Sequence, residues 1–386
     1  MIDFTLTESD EQILDEMRRQ AMACRKYARY YDEHEDEFTP DALPEAGNFK
    51  NPYKVVNRNE EVDTPRRVLH MLVCATQAWG DYGVMMRRGE RALGNLVLDL
   101  AGTPEQKQRW NDKTLAIAIT EPGCGSDAKT LQTTAARDGD EWVLNGTKIF
   151  ITTGCRCDGV VVAATTDRQA GHAAIHPFIV MRGTPGFEVT QRDKKLGIRA
   201  DDTATMVFEN ARIPRDHLLG GDEHSTHGFS MVLSALNATR PAVAIAGLGI
   251  ARAALDFTRD VLAQEGIKVD WGVGRNSRTA VEQELIEIEA DIEAALLDLL
   301  YAAWVSDGVK WQRHEAAIAK AKSGEVARSA ARRCIDLLGP LGISREYLLE
   351  KWLRDSRITD LYGGTGEIQR LIIARHILGY SSVELS

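Results

Sequence analysis

The chain has 386 residues, of which 44% are hydrophobic and 27% charged, and its 57 Asp and Glu against 47 Lys and Arg give a formal net charge of −10. This length and composition suit a globular protein of two or three domains and exclude bulk disorder. The acidic balance argues against a nucleic-acid-binding protein with a broad basic face, although a few well-placed Arg and Lys residues can still bind an anionic small molecule.

The first predicted region, residues 1–115, is helical. Polar residues at positions 7–11 predict the start of a helix, because Thr, Ser and Asp side chains cap the first turn. The stretch 39–64 is rich in Pro and Asn, which predicts a long irregular connection. Helical periodicity resumes over residues 68–100, with an interruption near Gly80 and Gly83.

The second region, residues 116–225, consists of short apolar and β-branched runs separated by turn residues. Asp138-Gly139 and Asn145-Gly146 are both typical of tight turns, and the second pair is a strong hairpin signal. The spacing of the runs predicts a compact β-barrel or β-sandwich domain.

The third region, residues 226–386, returns to helix. Residues 282–305 and 314–338 repeat apolar side chains at helical spacing, and Gly339 predicts the end of the second of these helices. The order of helices, strands and helices predicts an α+β fold. The predicted domains are 1–115, 116–225 and 226–386.

Localisation is predicted from what the chain lacks. Its first residues are acidic and do not resemble an export signal, and the longest charge-free apolar stretch, between Arg240 and Arg252, is about half of what crosses a bilayer. The cysteines are scattered, and the one close pair, Cys155 and Cys157, lacks the usual zinc spacing. We therefore expect a cytoplasmic protein with reduced cysteines, no metal site and no insertion into a membrane.

The most specific segment runs from Ala118 to Asp127 and reads AITEPGCGSD. A strand ends there in a bend rich in Pro, Gly and Ser. Its backbone N–H groups and hydroxyls can donate hydrogen bonds to the polar edge of a planar cofactor or to a carbonyl group. The composition by itself is equally consistent with a plain turn between two strands.

This segment resembles the signature of the acyl-CoA dehydrogenase family, and four later motifs resemble that family in the same order along the chain. They are NGTKIFIT at 145–152, KLGIR at 195–199, LLGPLG at 337–342 and YGGTGEIQR at 362–370. The resemblance covers most of residues 66–380.

The resemblance implies an N-terminal all-α domain, a central β-barrel or sandwich domain and a C-terminal four-helix bundle. It implies FAD between the β domain and the bundle, with an acyl-CoA thioester inserted against the flavin. In family members a glutamate removes the α-proton and a hydride passes from the β-carbon to the flavin. The resemblance also implies a homo- or hetero-tetramer, and it leaves an electron-transfer flavoprotein open as the electron acceptor.

Matched residue by residue, the motifs imply two sets of binding positions. The cofactor-binding positions are Ile119, Thr120, Gly125, Ser126, Phe150, Thr152, Lys268, Trp271, Gly339, Thr365 and Glu367. The substrate-binding positions are Ser126, Arg240, Arg88, Gly363 and Gly364. Arg88 would lie at the acyl-tail end of the pocket and could pair with a carboxylate or sulfinate tail, although its surroundings are also typical of a solvated helix face.

The chain departs from the family pattern at the catalytic base. Gly363 occupies the usual position of the glutamate, and Thr239 occupies the position that some family branches use instead, so neither position offers a proton acceptor. Glu367 is the nearest carboxylate in the loop and is the candidate catalytic residue, with Asp81 or a partner subunit as alternatives. Lys268 replaces the usual Arg near the flavin phosphates, which keeps the charge and loses the bidentate fork.

Three functions therefore stay open. The first is an FAD-dependent acyl-CoA dehydrogenase-type oxidoreductase with a non-standard base. The second is a non-oxidative acyl-CoA flavoprotein of desulfinase-like or reductase-like type, which removes no α-proton. The third is a catalytically silent subunit that retains the fold to complete a neighbour's site in a hetero-oligomer.

Overall fold

The computed structural model describes residues 4–37, 66–86, 91–306 and 313–380. The chain divides into two compact units, which we call the helical unit and the β unit. The helical unit comprises Met1–Arg88, Leu196–Ala200 and Thr239–Ser386. The β unit comprises Gly89–Lys195 and Asp201–Ala238.

The secondary structure follows the predicted order of helices, strands and helices. The helices of the described residues are α1 (Glu8–Lys26), α2 (Ala28–Glu33), α3 (Arg66–Met86), α4 (Leu93–Ala101), α5 (Pro104–Trp110), α6 (Gly228–Gln264), α7 (Ala280–Val305), α8 (Arg313–Leu338), α9 (Leu349–Leu361) and α10 (Gly366–Leu378). The strands are β1 (Leu115–Ala118), β2 (Thr134–Asp138), β3 (Glu141–Thr152), β4 (Gly159–Thr165), β5 (Ile175–Met181), β6 (Phe187–Arg192) and β7 (Thr203–Pro214). The predicted α+β fold is confirmed, whereas the exact domain boundaries at 115 and 225 stay a prediction.

The N-terminal helices begin and bend where the sequence predicts. Thr7 caps α1: its hydroxyl accepts a hydrogen bond from the Asp10 main-chain N at 3.2 Å, and the Asp10 carboxylate accepts one from the Thr7 N at 3.0 Å. Helix α3 is interrupted at Asp81, whose φ of −160° and ψ of 115° are not helical. The predicted irregular connection at 39–64 lies outside the described residues.

The core of the helical unit is built from small and branched side chains of α6, α7 and α8. Ile245 and Ala251 of α6 pack there with Ile288 of α7 and Ala327 of α8, and all four are buried. By length and composition α6 could span a membrane, but 56% of its most apolar window is buried inside the protein, as in the core helix of many globular folds.

The β unit contains one seven-stranded sheet. Six of its strands follow the order β1-β4-β2-β3-β7-β6, and the seventh, β5, branches off this order by pairing with β4. Strand β4 is buried over its whole length because the sheet is covered on both faces. Val160 and Val162 point into the cluster that contains Phe178, while Val161 points into the cluster that contains Ile179.

The predicted hairpin at Asn145-Gly146 is wrong. These residues lie inside β3, where the pairing register with β7 shifts between Leu144 and Gly146, which marks a β-bulge. Gly146 has a φ of 153°, and a Cβ at this position would clash with Thr133, so close approach of the backbone explains the glycine. The turn between β2 and β3 is made instead around Gly139, with a φ of 59°.

Candidate functional site

The bend predicted at residues 119–126 is anchored by a buried ion pair. The Lys148 Nζ on β3 donates to Oε1 of Glu121 at 2.7 Å and to the main-chain O of Ile119 at 2.9 Å. The other hydrogen bonds to the Glu121 carboxylate come from the main-chain N of Gln132 at 2.6 Å and of Thr133 at 3.0 Å. Burial acts to raise the pKa of Glu121, but Lys148 and these donors outweigh it and hold that pKa below its usual value.

Beyond that anchor the bend is open. Pro122, Gly123, Gly125 and Ser126 are exposed. No atom lies within 4 Å of the place where a Cβ would stand on Gly123 or Gly125. The main-chain groups of this segment are therefore accessible to a ligand, as the predicted roles of Gly125 and Ser126 require. Thr120 is half-buried, and its main-chain O accepts a hydrogen bond from the Ile149 N at 2.9 Å, which fixes the bend beside β3.

Phe150 is turned out of β3 by its own backbone. Its φ is 59°, the pairing with β7 shifts between Lys148 and Ile151, and 64% of the residue is exposed. Thr153 also has a positive φ, of 66°. Positive φ is uncommon for residues other than glycine, and such backbone strain concentrates at functional sites. An exposed aromatic ring is a suitable surface for a planar cofactor, whereas Thr152 is half-buried and paired with Thr203.

In the helical unit, the loop between α9 and α10 brings three predicted positions together. Gly363 and Gly364 have φ values of 70° and 91°. The Arg240 Nε donates to the main-chain O of Gly363 at 3.4 Å, and only 7% of Arg240 is exposed. The Nε2 of Gln369, on α10, donates to the O of Gly364 at 3.0 Å and to the O of Gly363 at 3.4 Å. The sequence does not predict that Gln369 holds both loop carbonyls, although this residue lies inside the motif at 362–370.

A Cβ at Gly363 would find space, although the positive φ strains any side chain at this position. A Cβ there would meet only the Cγ2 of Val243, at an ordinary contact distance of 3.5 Å, whereas a Cβ on Gly364 would lie 2.5 Å from the Gln369 Nε2. The loop thus offers an open position at Gly363, next to a buried guanidinium, and that position carries no ionisable group.

Glu367, the candidate base, lies in the first turn of α10 and is exposed. Its own main-chain N–H and the Thr365 hydroxyl lower the pKa of its carboxyl group. A lower pKa makes the carboxylate a weaker base, so these surroundings do not favour proton abstraction. Thr365 caps α10 by accepting a hydrogen bond from the Ile368 N at 3.4 Å.

Asp81, the alternative base, is held in a buried cluster. Its carboxylate accepts from the Lys351 Nζ at 2.5 Å and from the Val84 main-chain N at 2.8 Å. The same Nζ donates to Asp355 at 2.6 Å, and the Asp355 carboxylate also accepts from the Ile198 N at 2.5 Å. A carboxylate bound in this way has no open side for a substrate, so the structure favours a structural role for Asp81.

The predicted phosphate-side residues lie at a cavity of about 530 Å³ in the helical unit. Lys268 and Trp271 line it together with Arg259 and Glu289, and 62% of Trp271 is exposed. Gly339 follows α8 directly and is exposed, with a φ of 53°. Arg88 lies outside the described residues. A cation and an exposed indole at this cavity suit a phosphate group and an aromatic ring of a ligand.

Family models support the same interpretation over most of the chain. The model described as "Acyl-CoA dehydrogenase, middle domain" matches residues 116–211, and the one described as "Acyl-CoA dehydrogenase, C-terminal domain" matches residues 226–378.

Individual relatives agree. The chain is 40% identical over 283 residues to the mitochondrial short-chain specific acyl-CoA dehydrogenase of Bos taurus, covering 72% of this chain and 67% of the relative. The structure is similar to butyryl-CoA dehydrogenase from Megasphaera elsdenii, with a TM-score of 0.83, 28% identity and coverage of 98% and 100%. It is also similar to a glutaryl-CoA dehydrogenase from Mycobacterium smegmatis in complex with FADH2, with a TM-score of 0.80, 25% identity and coverage of 98% and 96%. The chain therefore belongs to the acyl-CoA dehydrogenase family and is an oxidoreductase of that type.

Proposed function

We propose that this protein is an FAD-dependent enzyme that acts on an acyl-CoA thioester without a carboxylate at the usual base position. FAD is its cofactor and supplies hydride-accepting chemistry when bound, in line with the relative that holds FADH2. The observation that carries the proposal is the pairing of Arg240 with the open glycine loop. The Arg240 Nε lies 3.4 Å from the main-chain O of Gly363, and the resemblance to the family gives Gly363 the position of the catalytic acid.

Different residues of the chain bind the cofactor and the thioester substrate. Phe150, Thr152 and the bend at 119–126 offer an aromatic face and main-chain donors to the cofactor. Lys268 and Trp271 offer a charge and a stacking surface to its phosphates and adenine. Ser126 and the main-chain groups around it bind polar atoms of the thioester, and Arg240 provides a buried positive charge.

The reaction depends on where a proton acceptor comes from. Glu367 is exposed with a lowered pKa, and Asp81 is bound by Lys351, so neither side chain suits proton abstraction. These observations favour a second candidate, a reaction on an acyl-CoA that removes no α-proton, over dehydrogenation by either residue. The same loop is consistent with a silent subunit of a hetero-oligomer. The tetramer, the electron-transfer flavoprotein and the cytoplasmic location stay predictions.

The visible spectrum of the purified protein tests the proposal. We expect a yellow protein whose flavin bands shift when an acyl-CoA is added. Anaerobic bleaching of those bands supports dehydrogenation, and a shift without bleaching supports the non-oxidative reaction. A protein that takes up neither FAD nor acyl-CoA overturns the proposal. The catalytically silent subunit is then the remaining hypothesis.

A variant with a carboxylate at position 363 tests the proposal more sharply. In Gly363→Glu we expect straight-chain acyl-CoA oxidation to appear, because the new Cβ meets only the Val243 Cγ2, at 3.5 Å, and the Arg240 Nε already donates to the main-chain O of this residue. The matched control is Gly363→Gln, which has the same shape and strain without a proton acceptor. Equal activity in both variants would show that the base lies elsewhere.

A further inference from the structure

A further cavity of the helical unit, of about 340 Å³, is lined by residues of α1, α3, α6 and α7. Most of its lining is apolar, and the larger apolar contributions come from Ala75, Leu248, Ile292 and Leu296. On α6 the lining begins at Leu248, eight residues after Arg240, which is about 12 Å at the rise of an α-helix. The α6 part of this cavity therefore lies away from the glycine loop that Arg240 contacts.

The indole of Trp79 lines the same cavity and is fixed by its neighbours. Its Nε1 donates to Oδ2 of Asp256 on α6 at 2.9 Å. The guanidinium of Arg25, on α1, lies 3.6 Å from the centroid of the indole, and Arg25 also donates to the main-chain O of Trp79 and of Gly80. A ligand in the cavity therefore meets an aromatic surface that is already ordered, which lowers the entropic cost of binding.

The charged side chains that line the cavity are Arg18, Arg252, Asp256 and Glu293. Arg252 and Glu293 pair with each other, and the Asp256 carboxylate accepts from the indole N–H. Arg18, on α1, is exposed, and its guanidinium lies 4.8 Å from the centroid of the Trp79 ring. Among the residues that the structure describes, Arg18 makes no hydrogen bond or ion pair. The cavity therefore combines an apolar lining with one cation that is available to an anion.

We infer that this cavity binds a small organic carboxylate with a compact apolar body. The carboxylate pairs with Arg18 through charge-assisted hydrogen bonds, and the apolar body packs between the Trp79 ring and the aliphatic side chains. A volume of about 340 Å³ is at the lower end of the range for ligand sites, so it suits a free acid about the size of one substituted aromatic ring and is too small for a CoA thioester. The site does not depend on the proposed function, because none of the positions assigned above to FAD or to the thioester lines it.

Binding of two isosteric probes to the purified protein tests the inference. Phenylacetate and phenylacetamide have the same shape and differ in the charge of the head group. We expect isothermal titration calorimetry to show phenylacetate binding about tenfold tighter, because only the carboxylate forms a charge-assisted pair with Arg18. Phenylacetate should also raise the Tm, because it binds the folded state. Equal affinities, or no binding of either probe, overturn the inference and leave the proposed function intact.

A pair of arginine variants assigns the charge preference to this cavity. Arg18→Gln should bring the ratio of the two affinities close to one. Arg19→Gln, the same change at the next residue, should leave the ratio as it is, because Arg19 pairs with Glu16 at 2.7 Å and does not line the cavity. Both arginines are exposed, so both variants should fold, and thermal unfolding without ligand checks this.

A pair of leucine variants assigns the apolar part of the site. Leu296→Trp should weaken the binding of both probes, because the larger side chain occupies the cavity. Leu297→Trp is the matched control, since Leu297 is 52% exposed and does not line the cavity. A preference for phenylacetate that survives both Arg18→Gln and Leu296→Trp would place the ligand elsewhere and overturn the inference.

Discussion

The Lys148 Nζ lies 2.7 Å from Oε1 of Glu121 in the interior of the β unit, and neither side chain is more than 5% exposed. This pair joins the start of the bend at residues 119–126 to β3. Two main-chain N–H groups complete the shell of the carboxylate. The glutamate of the Thr-Glu-Pro motif is therefore a structural anchor, whereas Pro122, Gly123, Gly125 and Ser126 after it are exposed.

Replacing Lys148 should destabilise the protein. Lys148→Met leaves the Glu121 carboxylate buried without its cation, and we expect a loss of about 3 to 5 kcal/mol in the free energy of unfolding. Urea denaturation with flavin-free protein measures it. The double variant Lys148→Met, Glu121→Gln has no buried charge at this place and should recover part of the loss. A double variant less stable than the single one would contradict the assignment.

The sequence predicts the fold because the fold depends on local patterns, and its motifs locate the bend and the glycine loop as candidate site segments. Hydrophobic periodicity identifies α7 and α8, capping residues identify the start of α1, and motif order identifies the bend and the glycine loop. What it misses is pairing over long sequence separation. Glu121 and Lys148 both lie in recognised motifs, yet nothing local shows that two charges 27 residues apart are in contact.

The sequence also fails to predict backbone geometry where that geometry depends on contacts with distant parts of the chain. Asn145-Gly146 has the composition of a hairpin turn, and tertiary pairing with β7 makes it a bulge instead. Ile198 has a φ of 51°, and its main-chain N donates to the buried Asp355 at 2.5 Å. A β-branched residue gives no local signal for a left-handed conformation, so only the contact with α9 explains it.

The two glycines of the loop should differ in their tolerance of a methyl group. Both have positive φ, so alanine at either position costs about 1 kcal/mol in backbone strain. In Gly364→Ala the new Cβ also falls 2.5 Å from the Gln369 Nε2 and displaces the amide that holds both loop carbonyls. We expect Gly364→Ala to lose about 2 to 3 kcal/mol of stability in urea, clearly more than Gly363→Ala. Equal losses would show that Gln369 does not clamp the loop.

Neutralising Glu367 should leave the chemistry nearly unchanged. Its exposed carboxylate sits at the start of α10 with a lowered pKa, which suits a helix terminus better than a general base. With whichever acyl-CoA reduces the flavin, the rate of bleaching in Glu367→Gln should stay within a few-fold of the parent, whereas loss of a true base lowers rates by about 10² to 10⁴. Glu325→Gln, on the exposed surface of α8, serves as the control. A hundred-fold loss confined to Glu367→Gln would restore this residue as the base.

Lys320, which is buried on α8 and donates to the main-chain O of Asp360 at 2.8 Å, should give stability a distinct pH dependence. Its folded pKa of about 8 lies below the ordinary value of 10.5, so between these two pH values the unfolded chain binds the extra proton and stability rises with pH. Below about pH 8 the lysine is charged in both states and the penalty of burying it is present in full. In Lys320→Met that contribution disappears, and the difference in unfolding free energy between parent and variant should change across this window by roughly 3 kcal/mol. Lys322→Met should keep the parent's slope. An unchanged slope in Lys320→Met would show that the titration of this lysine does not govern the stability in this pH window.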